Sequence, residues 1–391
     1  MRWKISFLNI LLLISFFTGC STDNQEFFEA ENYFSSSYAE ARRKFIGVSL
    51  GSGAHIESLE NPNKGPSGEL LYTDIALFES EKAKNILVLI SGTHGVEGFA
   101  GSGIQIGLLE EGIISELPPD TSLLMIHALN PYGFSHIRRF DENNIDPNRN
   151  FVDHSEDPRE NKGYEVLKDS ISPESVSFFT NIKSLFRLMG YGLKNRSMSK
   201  LKVAISRGQY TDPDGLFYGG RFKGWVHNTI EYITQKYLFQ AERVIVLDFH
   251  TGLGDYGSCE IITNEKENSE VYIRAKKIWG NKVKTTYSED SVSIHIASSL
   301  KLALPSMLSN KVEVTVVSPE FGTLSPLKVF WALRSENWLH HHGSKDHPKA
   351  KKIKSRLLQA FYPDDSDWKV SVWKQGRDIV KEALSSLDIK N

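Results

Sequence analysis

The sequence predicts an α/β fold of three layers (αβα), in which a mixed, centrally parallel β-sheet carries helices on both faces. Four runs, at residues 85–90, 122–127, 243–247 and 312–317, are rich in Val, Ile and Leu and lack polar alternation, as is typical of strands covered on both faces. The intervals between the runs are long enough for the helical crossovers that parallel strands require. We therefore expect functional side chains outside the carboxyl ends of these strands.

Hydrophobic periodicity predicts the other elements in order. A helix at 38–46 and an alternating strand at 70–78 come first, and a helix at 100–109 is expected to pack back on the sheet. Later helices are predicted at 226–239, 270–279, 326–339, 350–361 and 372–385.

Residues 152–225 have a looser pattern, which we interpret as an insertion. It is expected to contain one or two helices at 173–196 and a loop rich in Gly, Pro, Asp and Tyr at 207–220. Since there is no internal repeat and no linker, residues 37–391 are expected to form a single catalytic domain.

Composition narrows the class of protein. With 391 residues, 40% of them hydrophobic, the chain can bury a large core. The formal net charge of −2 provides no basic field, so no nucleic-acid partner is expected. The sequence also lacks a GxSxG elbow, a P-loop and a CxxC pair. No motif therefore indicates a serine hydrolase, a nucleotide-binding protein or a dithiol redox protein.

The N-terminus indicates export. Arg2 and Lys4 precede an apolar stretch at 5–17 that is short for a bilayer span. It ends in Phe-Thr-Gly-Cys20, which resembles a bacterial lipoprotein signal, in which the Cys is lipidated; an ordinary cleaved signal and a membrane anchor are the alternatives. We expect a lipid on Cys20 to anchor the protein to a bacterial membrane, the outer membrane in a Gram-negative cell.

The expected division is thus a signal at 1–20, a polar tether at 21–36 and the domain that follows. Once Cys20 is assigned to the signal, only Cys259 remains, so no internal disulfide is expected.

His94 and Glu97 are the first candidates for metal binding. They lie three residues apart after the strand at 85–90, in a loop whose glycines let both side chains converge on one ion. A His with a carboxylate suits zinc. Taken alone, the HxxE spacing is a weak signal, because a solvated loop His beside a surface Glu gives the same pattern.

His250 is the third candidate ligand, after the strand at 243–247. Two His and one Glu leave a coordination position open, which is typical of catalytic zinc; a packed or capped His is the alternative. Asp248 could accept a hydrogen bond from the His250 ring. The intervening Phe249, however, suggests that the two side chains point to opposite sides of a strand.

Glu320 lies at the mouth of the strand at 312–317. Desolvation there would raise its pKa toward the range of a general base that activates water. The alternative is a strand-end Glu paired with a nearby Lys or Arg.

A polar loop between the first and the third candidate ligands contains Arg138, Arg139, Asn148 and Arg149. An Arg beside an Asn amide can hold a carboxylate by paired hydrogen bonds, and a second Arg can polarise a scissile carbonyl. Because three acidic residues share the loop, a surface salt-bridge cluster is the alternative interpretation.

In order and strand context, these residues resemble the zinc carboxypeptidase family of the carboxypeptidase A type and its deacylase relatives, the aspartoacylases and succinylglutamate desuccinylases. The family pattern is HxxE, an Arg followed by DxNR, a distal His and a catalytic Glu, and the resemblance covers most of residues 85–323. It implies a zinc-carboxypeptidase-like fold with Zn²⁺ as cofactor. By this resemblance the zinc ligands are His94, Glu97 and His250, the base is Glu320, the oxyanion stabiliser is Arg139, and the carboxylate clamp is Asn148 with Arg149.

Three longer strings, at 207–210, 215–220 and 332–343, resemble an uncharacterised bacterial branch of that family, a domain of unknown function. The setting of Glu320, Glu-Phe-Gly-Thr, is more similar to the Glu-x-Gly of the deacylases than to the Glu-Leu-Arg of digestive carboxypeptidases. Carboxypeptidases have a Tyr that caps the substrate, and the candidates for it here are Tyr210 and Tyr218. The alternative for each is that it packs in the core or in a loop. His295 and the run His340 to His342 could approach the site or lie on the surface.

The resemblance implies hydrolysis of an amide bond beside a free carboxylate. The substrate would be a peptide, as for a metallocarboxypeptidase, or a small N-acyl amino acid, as for a deacylase. A 207–220 loop that closes over the metal would favour small substrates, whereas an open groove would favour peptides. A surface-tethered binding protein with an inactive metal site is the alternative from another class.

Overall fold

The structure is a computed structural model, and it describes residues 30–156, 160–288, 291–344 and 346–388. The predicted signal with Cys20, and most of the predicted tether, lie outside the described residues. Within the described ranges, no helix is both long enough and apolar enough to cross a membrane.

In the described part of the chain, nine strands form a mixed sheet at the centre of the fold. Its strands are β1 (His55–Lys64), β2 (Leu70–Phe78), β3 (Asn85–Ile90), β4 (Thr121–His127), β5 (Arg243–Asp248), β6 (His250–Gly252), β7 (Cys259–Thr263), β8 (Val283–Thr285) and β9 (Glu313–Gly322). The order is β1-β2-β4-β3-β5-β9-β7-β8, and β6 also pairs with β9. Strands β4, β3, β5 and β9 are mutually parallel, whereas β1, β2 and β7 pair antiparallel. The predicted fold class is confirmed.

Helices cover both faces of this sheet. They are α1 (Tyr38–Gly51), α2 (Gly98–Glu110), α3 (Pro131–Ser135), α4 (Lys162–Ile171), α5 (Phe178–Lys194), α6 (Met198–Ser206), α7 (Trp225–Ile233), α8 (Glu270–Trp279), α9 (Leu300–Met307), α10 (Pro326–His342), α11 (Ala350–Phe361) and α12 (Ser366–Leu387). Strand β3 shows why the central strands are apolar throughout. Its Leu87 and Leu89 pack in one hydrophobic core, and its Ile86 and Val88 pack in the core on the other face.

The insertion contains more helix than the sequence predicted. One helix, α5, lies where one or two were expected, and α4 and α6 extend the helical part to either side. The helical conformation is interrupted between α5 and α6 at Arg196, which has a φ of 51°. Ser197 then caps the N-terminus of α6, where its side chain accepts a hydrogen bond from the N–H of Lys200. Helices α4 and α6 have only 10 and 9 residues, so each offers few helical repeats for a sequence pattern to detect.

Two further differences concern strands. Strands β1, β6, β7 and β8 were not predicted. Strand β1 is an edge strand whose exposed side chains interrupt any apolar alternation, and the other three have only three to five residues each. Strands β5 and β9 run beyond their predicted ends, so that Asp248 and Glu320 lie within strands rather than after them.

Candidate metal centre

The HxxE segment is a tight turn at the carboxyl end of β3. His94 caps a one-turn 3₁₀ helix that leads directly into α2. Gly95 packs so closely that a Cβ there would lie 2.0 Å from the carbonyl carbon of Gly133. Two N–H groups of the turn also donate to the carbonyls of Arg138 and Arg139, at 2.7 and 3.2 Å. The segment with the first two candidate ligands is therefore bonded to the loop with the candidate arginines.

His94, Glu97 and His250 come together in one buried cluster. Each offers a ligand atom, and these atoms all lie within 4.8 Å of one another. Glu97 bridges the two rings, since its Oε1 lies 2.9 Å from Nδ1 of His94 and its Oε2 lies 2.9 Å from Nδ1 of His250. The structure thus brings together the three residues that the sequence nominated from distant positions.

The cluster fits a metal ion. Two imidazoles and one carboxylate are a donor set that zinc prefers. Nδ1 of His94 is also a buried nitrogen that makes no hydrogen bond within the described part of the chain, although it faces the Glu97 carboxylate. An unsatisfied buried donor or acceptor is costly unless a partner completes it. The three residues therefore form a candidate His-Glu-His metal site.

Asp248 contacts the far side of the His250 ring. Its Oδ2 lies 2.7 Å from Nε2 of His250, and its Oδ1 accepts a 2.6 Å hydrogen bond from the hydroxyl of Thr93. The expectation that Phe249 would set the two side chains on opposite sides was wrong, because residues two apart in an extended chain share a face. When a metal ion is bound, a proton that Asp248 holds on Nε2 would leave Nδ1 free to act as the ligand atom.

Electrostatics make Glu97 a persistent anion. Burial opposes its ionisation, but His94 and His250 outweigh burial and lower its pKa well below the usual range. Burial likewise opposes protonation of His250, but Asp248 and Glu97 outweigh it and raise the pKa of that ring to about 10. A buried carboxylate held so firmly as an anion is suited to a cationic ligand.

Arg139 reaches the cluster, whereas Arg138 does not. Nη1 of Arg139 donates to Oε1 of Glu97 at 2.9 Å, Nη2 lies 2.7 Å from Nε2 of His94, and Nε donates to Asp146 at 3.0 Å. Arg138 instead pairs with Glu336, at 3.0 Å. The guanidinium of Arg139 is thereby fixed in orientation beside two of the candidate ligands.

Glu320 lies beside the cluster on β9. Its Cα pairs in register with that of His250 on β6, and its Oε1 accepts a 3.0 Å hydrogen bond from the N–H of Leu253. Burial raises the pKa of Glu320, and the negative charge of Glu97 raises it further. Such an environment suits a carboxylate that must accept a proton near neutral pH.

Asn148 and Arg149 lie close to these residues but are engaged with backbone. Arg149 is 2% exposed, and its guanidinium donates to the carbonyl of Ser206, through Nε at 3.1 Å and also through Nη2. Oδ1 of Asn148 accepts from the N–H of Leu300 at 3.0 Å. In the described conformation the donors of Arg149 are therefore taken up by backbone, whereas the bond from Leu300 engages only the acceptor oxygen of the Asn148 amide.

The 207–220 loop packs over both arginines. The Phe217 ring lies 5.8 Å from the guanidinium carbon of Arg139 and 5.5 Å from that of Arg149, within cation–π range. The candidate capping residues Tyr210 and Tyr218 are both buried. The hydroxyl of Tyr210 donates to the carbonyl of Arg149 at 2.7 Å, so this ring packs inward.

The other nominated histidines do not join the cluster. Burial lowers the pKa of His340 to about 3, and the charge of Arg138 lowers it further. His341 lies 3.2 Å from the carboxylate of Asp214. His295 lies 3.4 Å from the hydroxyl of Tyr287, beside a cavity of about 240 Å³ that borders Gly208 and Tyr210.

Two residues near the site were not predicted from the sequence. Thr93 donates a hydrogen bond to Asp248, as described above. Its position directly before His94 could have indicated that it lies near the site. Lys301 donates to the hydroxyl of Ser318 at 2.9 Å, and burial lowers its pKa although Asp248 and Glu320 oppose that change. Nothing in its sequence context distinguishes Lys301 from other helical lysines.

The fold and this cluster define an α/β protein with a candidate His-Glu-His metal site. The chain belongs to the family DUF2817, described as a protein of unknown function, whose model matches residues 34–375. A comparison with curated proteins finds no match.

Solved structures similar to the chain include carboxypeptidases and a succinylglutamate desuccinylase. A putative carboxypeptidase A from Shewanella denitrificans is 11% identical, with 90% of this chain and 71% of that chain covered and a TM-score of 0.44. The carboxypeptidase A from Helicoverpa armigera is 11% identical, with coverages of 84% and 75% and a TM-score of 0.44. A succinylglutamate desuccinylase from Silicibacter is 14% identical, with coverages of 74% and 67% and a TM-score of 0.36. Likeness at this level assigns no activity to the chain.

Proposed function

We propose that the chain is a zinc-dependent hydrolase that cleaves an amide bond next to a free carboxylate, in the manner of a metallocarboxypeptidase. The observation that carries the proposal is the convergence of His94, Glu97 and His250, with Arg139 against Glu97 and Glu320 in register with His250. Zn²⁺ bound by these ligands would polarise a carbonyl group and lower the pKa of a water molecule.

Two residues of the chain would transfer the proton and stabilise the developing charge. Glu320, whose pKa is raised by burial, would take the proton of the attacking water and deliver it to the leaving amine. Arg139, already oriented by Glu97 and Asp146, would stabilise the negative charge that develops on the carbonyl oxygen.

Asn148 and Arg149 would bind the substrate carboxylate. For this role Arg149 must exchange the carbonyl of Ser206 for the carboxylate of the substrate, which offers two oxygens to its N–H groups. The exchange makes carboxylate binding depend on movement at the end of α6.

A deacylase for small N-acyl amino acids is the second candidate. The observation that favours it is the 207–220 loop, whose Phe217 packs over the guanidinium groups of Arg139 and Arg149. A loop so placed restricts the space beside the candidate metal ligands, and a small substrate needs less space than a peptide.

The test is a hydrolysis screen of N-acyl amino acids against short peptides, with chelator and zinc add-back as controls. Release of an amino acid that stops with chelator and returns with zinc supports the proposal, and the substrate that reacts decides between the two candidates. A purified chain that neither contains nor binds zinc would instead support a surface-tethered binding protein.

Location and domain division are further proposals from the sequence. We propose a signal at 1–20, a lipid on Cys20, a tether at 21–36, of which Ala30 and Phe34 pack in the hydrophobic core, and one catalytic domain at 37–391. Mass spectrometry of the mature N-terminus, with and without inhibition of lipoprotein signal cleavage, tests the first two. An unmodified chain cut elsewhere contradicts them.

A further inference from the structure

Helix α5 exposes a continuous apolar face to solvent. Its side chains recur every three or four residues and fall within an arc of about 100° of the helix. They include Phe178, Phe179, Phe186 and Leu193, which are 73%, 81%, 71% and 74% exposed. Ile182 and Met189 complete this α5 face. Exposed apolar patches of this kind mark interaction sites on soluble proteins.

The same segment is strongly cationic. Residues 175–211 contain no Asp or Glu and seven Lys or Arg, although the whole chain has a net charge of −2. The seven are Lys183, Arg187, Lys194, Arg196, Lys200, Lys202 and Arg207, and all are exposed. On α5 itself, Lys183, Arg187 and Lys194 follow one edge of the apolar face, and Arg187 also lies 3.4 Å from Asp169.

The opposite side of α5 is fixed to the body of the protein. Its Ser184 and Leu188 are buried, and the buried guanidinium of Arg334 on α10 donates to Asn181 at 2.7 Å and to Ser184 at 2.9 Å. Arg334 also donates to the carbonyl of Ser170 at the end of α4, at 2.9 Å. The helix is therefore held in one orientation, with the α5 face directed outward.

We propose that the α5 face binds the surface of a membrane that contains anionic lipids. An interfacial helix combines bulky apolar residues on one side with Lys and Arg beside them, and it lies in the plane of the headgroups. Each feature has a partner there, since the apolar side chains enter the acyl boundary and the cations meet lipid phosphates. A symmetric contact with a second copy of the chain is disfavoured, because it would bring two cationic segments together. This inference is independent of the proposed hydrolase activity and of a lipid on Cys20.

A position-specific fluorescence measurement on the full chain tests the proposal. Cys20→Ser and Cys259→Ser remove both native thiols, and Phe186→Cys then takes an environment-sensitive NBD label. We expect a blue shift and a several-fold rise in emission with phosphatidylglycerol-containing vesicles, but little change with pure phosphatidylcholine vesicles. Adding Lys183→Glu and Arg187→Glu should weaken vesicle binding by roughly tenfold or more, because it reverses two charges.

The matched control is the same label at Phe239→Cys, since Phe239 is an exposed Phe outside the cationic segment. Equal responses at positions 186 and 239 would mean that another part of the chain drives membrane binding, and this would overturn the proposal. Emission from position 186 that is already blue-shifted without vesicles would mean that the chain itself or a second copy covers the face, which also contradicts it. Circular dichroism and thermal melting check that each labelled variant is folded.

Discussion

The carboxylate of Asp248 lies 2.7 Å from Nε2 of His250, on the side of the ring opposite the Nδ1 that faces Glu97. Partners in this position orient a metal-binding His and keep the correct nitrogen free of a proton. Asp248→Asn should therefore reduce zinc affinity by about 10- to 100-fold. Zinc titration with a competing chelator measures this, with Asp153→Asn, at an exposed aspartate, as control. Unchanged affinity would remove Asp248 from the account of the site.

Glu320 should be needed for turnover and not for zinc. Glu320→Gln keeps the size of the side chain but removes the proton acceptor, so kcat should fall by about 10²- to 10⁴-fold while zinc content stays unchanged. Glu313→Gln, at an exposed position on the same strand, is the matched control. Full activity of Glu320→Gln on a substrate found in the screen would show that another group is the base.

Arg139 should contribute to stability as well as to catalysis. Arg139→Met leaves the buried carboxylates of Glu97 and Asp146 without this partner, and loss of one member of a buried ion pair costs about 3–5 kcal/mol. Loss of an oxyanion-stabilising donor should lower kcat by about 10²- to 10³-fold. Chemical denaturation and kinetics measure the two effects, and Arg43→Met, at an exposed arginine, should show neither. A stable, fully active Arg139→Met would contradict both assignments.

Buried His127 should make stability depend on pH. Burial lowers its pKa from 6.5 to about 4, while the ring stacks on Phe45 and lies 2.9 Å from the hydroxyl of Ser102. The unfolded chain binds this proton near pH 6.5 and the folded chain only near pH 4, so the free energy of unfolding should decrease as pH falls through this window. Linkage limits the contribution to about 3 kcal/mol.

The His127 prediction is checked by urea unfolding at pH 7 and at pH 5. His127→Gln should be less stable at pH 7 but should lose less stability on acidification than the unmodified chain. His55→Gln, at an exposed His, should preserve the original pH dependence. An equal pH dependence for the unmodified chain and His127→Gln would assign the effect to other groups.

Much of this architecture could be predicted because its signals are local. Apolar runs gave the central strands, and strand-end positions nominated His94, Glu97 and His250. The bonds of Arg149 to backbone could not be predicted, since their acceptor is the carbonyl of Ser206, 57 residues away in the insertion. The position of Lys301 near Asp248 and Glu320 could not be predicted either, because only tertiary structure distinguishes it from a surface lysine.

The most direct test of the central claim is the zinc content of the purified full chain, measured by inductively coupled plasma mass spectrometry beside His94→Ala and His250→Ala variants. The His-Glu-His cluster predicts one zinc per chain and a loss of most bound zinc in each variant. A folded chain that binds no zinc, or variants that bind as much zinc as the unmodified chain, would contradict it.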